Sequence, residues 1–485
     1  MRFLFTPSKL ALPTITFWVA TTVLVCVFTY KVVHNQWFCE LPKPVGDGLD
    51  YENIGFHLYQ GDGFVIDNQN AAWRAPYEAR RTDYAYHLQS TPRQLIATGR
   101  PPLFPVLIAA VYGVFGRNQS AMAAVRILLG IALAIAGGLS CALVASLLKQ
   151  SSPAIVGASF TCLLFATNRT LISYTTDFLT EPLALLLTQG FVSLAAVRLV
   201  SITTASQECS AELKTNERPP NKTSKRTLGM FQPAVICMGA IFAGMILVRS
   251  LFVLWLPIVA TLLFFSEQGT WRTRFVNTAI FLIVCIAICS PWWIRNIVQL
   301  RALMPLGTQG PITLLGGYCD QSVADGGQWQ MQPELELRQE FVDEQGEHRE
   351  EGNAIASGTA AEMLIAQEAK RRVWEWIFAH PDQLPALALL RIRTHWGPYS
   401  GPSMLWKLAG LLGAALLLNR RNAASWWLVG LPITSTLVVA VLYATGGRFL
   451  VPLYGALFAL AGCGAAGIWS FALGFVESPR AEREG

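Results

Sequence analysis

Several stretches of this chain stay apolar for about 20 residues, and that length decides what it can fold into. Examples are Leu10–Tyr30, Val125–Leu148, Phe178–Val200, Phe275–Trp293 and Trp426–Ala444. About 20 apolar residues are needed to cross the hydrocarbon core of a bilayer as a helix. Lipid offers the backbone no hydrogen-bond partner, so such segments must be helical. Only 14% of the 485 residues are charged, against 53% hydrophobic. A soluble domain carries roughly a quarter charged residues. The sequence therefore predicts an all-α polytopic membrane protein.

Ten spans are expected, at roughly 10–32, 123–148, 152–172, 178–200, 229–248, 250–266, 275–293, 403–419, 425–445 and 449–471. The first is long, and no small-x-small cleavage site follows it before Lys31, so it reads as a span and not as a cleaved signal. Basic residues in short loops set the orientation. Arg2, Lys9, Lys149, the run Lys214 to Arg226, Arg272, Arg274, Arg420, Arg421, Arg480 and Arg483 fall on one side. That side is read as cytoplasmic, with both termini inside and a bacterial inner membrane as the expected location. The opposite short loops carry only Arg169, Arg249 and Arg448. The formal net charge of +6 is thus a topology signal. The basic residues form no aromatic-laced face, so no nucleic acid partner is expected.

The spans divide the chain into an N-terminal helix (1–32), a first external loop (33–122), spans two to four (123–200), a cytoplasmic linker (201–228), spans five to seven (229–293), a second external segment (294–402) and spans eight to ten with a tail (403–485). Both external segments are too long for simple connections. The first is rich in aromatics, including Tyr51, Phe56, Trp73, Tyr77, Tyr84 and Tyr86. Its apolar stretch Pro102–Phe115 is short for a span and begins with two prolines, which suits a helix start at the outer interface. In the second, 333–353 is acidic and expected to be loop-rich. Ile365, Ala369, Val373 and Ile377 then recur every four residues with Trp374 and Phe378 beside them, predicting a helix over 357–379. It should end before His380-Pro381, with another helix at 383–395. The linker is polar and reads as flexible. Of ten cysteines, Cys39 and Cys319 lie externally and can pair in an oxidising compartment.

Ionisable residues gather at the external ends of spans. A transporter site would need them halfway down. Asp47 and Asp50 in Gly46-Asp47-Gly48-Leu49-Asp50-Tyr51 can supply a general base, or simply a turn. Arg100, in Arg100-Pro101-Pro102, can grip phosphate or contact lipid headgroups. Asp177 and Glu181 suit a helix N-terminus, but Glu181 lies one turn inside an apolar run and needs a partner or water. Arg295 follows the belt pair Trp292-Trp293 and is a further phosphate candidate. Arg249 and Arg448 occupy comparable external ends.

Taken in order, these motifs resemble the GT-C glycosyltransferases that use polyprenyl-phosphate sugars, most of all the protein-mannosyltransferase-like and aminoarabinose-transferase-like branch. They are Asp47-x-x-x-Tyr51, Leu58-Tyr-Gln-Gly61-Asp-Gly63-Phe64, Arg100-Pro-Pro-Leu-Phe-Pro105 with Tyr112-Gly-Val-Phe115-Gly116, Thr180-Glu181-Pro182-Leu183, Pro291-Trp-Trp-Ile-Arg295-Asn296, Met304-Pro-Leu-Gly-Thr308 with Gly316-Gly-Tyr318, and Gly447-Arg448-Phe449. The resemblance implies a GT-C-type bundle with two long structured external loops. It implies transfer of a sugar from a polyprenyl-phosphate donor to a lipid, glycan or protein acceptor, with inversion. Asp47 would be the base, or Asp50 if the register shifts by three. Arg100, Arg295 and Arg448 would bind the donor phosphate. Glu181, Asp177 and Tyr51 would line the acceptor or sugar site. Two positions depart from the family pattern: Gly48 stands where many members have a second acid, and Gly99 where some carry a carboxylate. No cofactor and no metal site are expected. A flippase for a lipid-linked sugar is the alternative reading.

Overall fold

The computed structural model describes residues 7–44, 46–80, 95–148, 150–214, 223–267, 270–346, 354–419 and 424–481. Tyr84, Tyr86, Lys149, Arg420, Arg421 and both extreme termini, with Arg2 and Arg483, lie outside them. The chain runs α1 Pro7–Val33, α2 Asp47–Gln60, β1 Val65–Ile66, α3 Ala71–Ala79, β2 Leu95–Ile96, α4 Leu103–Phe115, α5 Gln119–Leu147, α6 Ser151–Thr167, α7 Arg169–Thr176, α8 Glu181–Lys214 and α9 Thr223–Val248. A 3-10 turn, Ser250–Trp255, leads to α10 Leu256–Ser266 and α11 Trp271–Leu300. Then come α12 Gln309–Gly317, α13 Asp320–Ala324, α14 Gln332–Gly346, α15 Ala354–Ala379, α16 Leu384–His395, α17 Gly401–Asn419 and α18 Ser425–Val441. A second 3-10 turn, Arg448–Leu453, opens α19 Tyr454–Ala481.

All ten apolar segments are helical, but the described residues hold six helices long and apolar enough to cross a membrane, not ten. Counting α6 and α7 as one span bent by 46° makes seven. The segments 233–248, 250–266 and 425–441 are shorter apolar helices, as is α4. The protein is a multi-pass membrane protein on this count. The expected linker is partly helical, since α8 continues to Lys214 and α9 begins at Thr223. Part of the acidic stretch expected as loop is also helix, as α14. Charge along α14 is offset by ion pairs, Arg338 with Glu334 one turn away and with Glu362 of α15, and Glu340 with Arg372. The predicted helices at 357–379 and 383–395 correspond to α15 and α16. Cys39 and Cys319 are both free thiols, and Cys319 is buried.

Among the described residues three large apolar cores and three smaller ones hold the molecule together. The largest joins α1, α5, α6, α8, α9, α11, α17, α18 and α19. Its centre is α19, whose membrane-length part is 94% buried. Small residues permit that burial. A Cβ on Gly413 would lie 1.9 Å from the Leu460 carbonyl oxygen, and one on Gly464 would lie 2.0 Å from that of Ala409. Close backbone approach through small residues is how helices pack in lipid, where burial alone gives no drive. The second core belongs to the first external loop: Leu49, Tyr51 and Phe56 of α2, Trp73 and Tyr77 of α3, and Phe104, Ile108 and Tyr112 of α4. The opposite face of α4 exposes Val106, Val114 and Phe115. The third core gathers α12, α14, α15 and α16. Asn118 and Asn168 are N-caps, accepting from the backbone N–H of Ala121 and Leu171.

Candidate active site

Helix α2 begins at Asp47 because Gly46, at φ 74°, turns the chain through a left-handed conformation that favours glycine. Asp47, Asp50 and Tyr51 stand at i, i+3 and i+4, so they share a face. Both acids lie in the first turn, where the helix dipole favours negative charge. The head of α2 packs onto the backbone of Asp177–Phe178 between α7 and α8. A Cβ at position 48 would come within 2.2 Å of the Asp177 carbonyl oxygen. This is why a glycine, and not a second acid, follows Asp47.

Arg100, just ahead of α4, meets that face. Its Nη1 lies 2.7 Å from Asp47 Oδ1, while Nη2 and Nε donate to Asp50 Oδ2 at 2.6 and 3.0 Å. Its guanidinium sits 5.6 Å from the centroid of the Tyr51 ring. With the Gln309 amide turned to match donors to acceptors, its nitrogen donates to the Gly99 carbonyl at 2.6 Å and its oxygen accepts from Arg100 Nη1 at 2.8 Å. The other oxygen of Asp47 pairs with Arg448 Nη2 at 2.7 Å. Arg448 Nε also donates to Glu181 Oε1, which Arg249 Nη1 reaches at 2.7 Å.

The result is an alternating series of charges: Asp50, Arg100, Asp47, Arg448, Glu181, Arg249. It draws on α2, the segment before α4, α8, the end of α9 and the turn before α19. Glu181 is fully buried, and its Oε2 has no hydrogen-bond partner among the described residues. The side chains of Asp47 and Asp50 keep about a quarter of their surface exposed, 24% and 27%. Substrate can therefore reach them. Burial pushes the Asp47 carboxyl up, but the charges of Arg100 and Arg448 outweigh it and hold the group well below the ordinary carboxylate range. Burial works against the charge on Arg100, and Asp47 and Asp50 more than restore it. Burial raises the Tyr51 hydroxyl above its usual value and pushes that of Tyr443 nearby up to about 12, so both are neutral.

Two sequence candidates lie outside the series. Asp177 is paired with Lys43 at 3.6 Å and contributes its backbone to the seat of α2. Arg295 donates to the carbonyls of Ala97 at 2.7 Å and Phe64 at 3.1 Å, beside the Trp292 and Phe64 rings, which pack edge to face on each other. It thus fixes the strand leading to Arg100 and touches none of the acids in the series. Arg249, at a span end comparable to that of Arg448, joins the site as the sequence suggested, and two contributors escaped sequence reasoning. Gln309 had no signal. Glu52 sits fully buried beneath the site, accepting from Trp73 Nε1 at 2.6 Å, the Tyr112 hydroxyl at 2.7 Å and Arg117 Nε at 2.8 Å. An acid directly ahead of the run Asn53–Phe56, all of it buried, was the available clue.

No protein-family model and no curated protein sequence matches this chain. Solved structures do. The archaeal oligosaccharyltransferase AglB from Archaeoglobus fulgidus, in complex with an inhibitory peptide and a dolichol-phosphate, superposes with a TM-score of 0.52 at 11% identity, over 96% of this chain and 51% of that one. The Archaeoglobus fulgidus oligosaccharyltransferase in complex with Zn and sulfate gives 0.50 at 10% identity, over 94% and 50%. The chain spans about half the length of these proteins. ArnT from Cupriavidus metallidurans, bound to undecaprenyl phosphate, matches at 14% identity over 93% and 77%, with a TM-score of 0.35 that is too loose to carry a fold assignment. The likeness to the oligosaccharyltransferase is one of fold: this chain shares the membrane-helical fold of about half of that protein. Whatever metal that protein holds, the acids here face guanidinium groups. Among the described residues no three or more His, Cys, Asp or Glu side chains gather as metal ligands.

Proposed function

We propose that this chain is a membrane glycosyltransferase that moves a sugar from a polyprenyl-phosphate donor to a lipid, glycan or protein acceptor on the non-cytoplasmic face, with Asp47 as general base. The single observation behind this reading is the alternating series of three acids and three arginines at one end of an apolar bundle. Such a site offers a carboxylate to an acceptor and positive charge to a phosphate. The dolichol-phosphate and peptide held by a GT-C neighbour lend support in kind. Cytoplasmic termini are favoured by the basic residues of the short loops, and a bacterial inner membrane, with the endoplasmic reticulum as the alternative, by the compact, alanine-rich chain.

Asp47 takes the proton from the acceptor's hydroxyl or amine. The acceptor's oxygen or nitrogen bonds to the anomeric carbon from the face opposite the phosphate, and the configuration inverts. The bond from anomeric carbon to phosphate oxygen breaks, and polyprenyl phosphate leaves with the electron pair. Arginine charge balances the leaving phosphate, so catalysis rests on positioning and electrostatics. Glu181 Oε2, buried and unpartnered, accepts a hydroxyl of the sugar or acceptor.

The test uses Asp47→Asn and Asp50→Asn separately in the purified protein, reading release of polyprenyl phosphate from a panel of sugar-loaded carriers with membrane extract as acceptor. Loss of turnover with donor binding kept, in Asp47→Asn alone, is the expected result. Loss in Asp50→Asn alone moves the base by three residues. A wild type that binds donors yet releases no carrier phosphate overturns the transferase reading and favours a flippase.

A further inference from the structure

We propose that Arg249 is the residue that takes the donor's phosphate, received in the cleft beside it. This rests on the transferase reading above, and it differs from the sequence expectation, which gave the phosphate to Arg100, Arg295 and Arg448. The argument is a count of guanidinium donors. A guanidinium has five N–H donors. Arg100 spends Nε, Nη1 and Nη2 on Asp50, Asp47 and Gln309. Arg295 spends both terminal nitrogens on carbonyls and Asn296. Arg448 bridges two acids, so moving it would disturb both.

Arg249 stands at the end of the charge series. Among the described residues its one side-chain hydrogen bond is Nη1 to Glu181 Oε1, with the guanidinium 5.3 Å from the centroid of the Phe449 ring. Arg448 holds that same oxygen. Arg249 can therefore turn to a new anion without leaving Glu181 unpaired. The rest of its fork is available for the bidentate grip that suits phosphate.

A cleft lies next to it. It is shallow, with a cavity volume of about 10 Å³ that holds about one water, and its lining includes Thr98, Gly99, Pro101, Ser250, Trp292 and Trp293. Ser250 follows Arg249 in the chain, and Gly99 and Pro101 flank Arg100, so the cleft adjoins both guanidinium-bearing segments. The tryptophans mark the level where the apolar part of α11 ends, as belt residues do. A phosphate carried on an apolar chain would come up over this cleft, which must widen to admit the head beside Arg249.

The experiment places the full-length protein in phosphatidylcholine nanodiscs and measures binding of undecaprenyl phosphate, of neutral undecaprenol and of phosphatidic acid. Arg249→Gln should weaken undecaprenyl phosphate about 10- to 100-fold, the usual worth of charge-assisted hydrogen bonds, and leave undecaprenol unchanged. Arg249→Lys should fall between, keeping charge but losing the fork. The assignment is overturned if Arg249→Gln binds undecaprenyl phosphate as wild type does, or loses undecaprenol equally. Phosphatidic acid binding as tightly as undecaprenyl phosphate would overturn the isoprenoid source. The two readings fail apart. Unchanged binding by Arg249→Gln, with turnover intact in wild type, sinks only the Arg249 assignment. Wild-type binding without carrier release from any donor sinks only the transferase reading.

Discussion

Arg448 holds Asp47 through Nη2 at 2.7 Å and Glu181 through Nε, so one guanidinium joins the first external loop to the head of α8. The pairing sets how Asp47 titrates. With Arg100 and Arg448 in contact, its folded pKa is depressed below the ordinary value of about 3.9. In Arg448→Gln one of the two opposing charges is gone while burial remains. The carboxyl then becomes easier to protonate, and the acid limb of kcat/KM, which reports the free enzyme, should move to higher pH. A rate profile against pH for wild type and Arg448→Gln checks this. An unmoved limb would mean that Asp47 is not the titrating base.

The same shift has a consequence for stability. A depressed folded pKa means that Asp47 stabilises the fold above the unfolded pKa of about 3.9, and that this contribution is lost as pH falls through the folded pKa. Asp47→Asn should therefore be less stable than wild type at neutral pH, with the difference narrowing in strong acid. Thermal unfolding in detergent at several pH values measures it. A constant difference down to the lowest pH would count against the ion pairs as its origin.

Gly48 sets the distance between α2 and the Asp177 carbonyl. Gly48→Ala would put a Cβ 2.2 Å from that oxygen, and the obstacle is backbone, not a flexible side chain. The head of α2 must shift and take Asp47 with it. Overpacking of this sort costs roughly 1–3 kcal/mol. A lowered melting temperature with a larger loss of kcat than of donor affinity is expected. Full activity in Gly48→Ala would show that α2 tolerates displacement.

Much of this was readable from the sequence, for physical reasons. Asp47, Asp50, Arg100, Glu181 and Arg448 are costly charges at span ends, and a charge near lipid must find a partner. Their convergence follows from that need. The number of spans was harder, because 233–248, 250–266 and 425–441 are apolar yet short, and apolar length alone does not say what covers a helix. Residues 332–346 looked like loop because their charge is visible locally, while the partners Glu362 and Arg372 lie on α15. Arg295 looked like a phosphate ligand because sequence does not reveal carbonyls as acceptors.

Glu52 gives a prediction about the support under the site. It is fully buried, with Arg117 as its counter-charge and Trp73 and Tyr112 as further donors. Glu52→Gln leaves Arg117 without its ion pair, and breaking a buried pair costs about 3–5 kcal/mol. Melting should fall sharply. Glu52→Gln combined with Arg117→Met should recover part of the loss, since no charge is then left alone. A double variant no better than the single would argue against the pair as the cause.

Arg295 separates a carbonyl clamp from a phosphate ligand. Arg295→Met keeps much of the side chain against Trp292 and Phe64 but leaves the Ala97 and Phe64 carbonyls without their donor. Each unsatisfied buried acceptor costs roughly 1–3 kcal/mol. The variant should melt earlier than wild type. Its folded fraction should also lose less affinity for undecaprenyl phosphate than Arg249→Gln does, because Arg295 acts on the strand that carries Arg100 and not on the anion. Binding of undecaprenyl phosphate and undecaprenol, measured alongside thermal unfolding, decides between the roles. If Arg295→Met melts like wild type and loses the phosphate selectively, Arg295 is a ligand that leaves its carbonyls when the donor arrives, and the clamp seen here belongs to the unliganded protein alone.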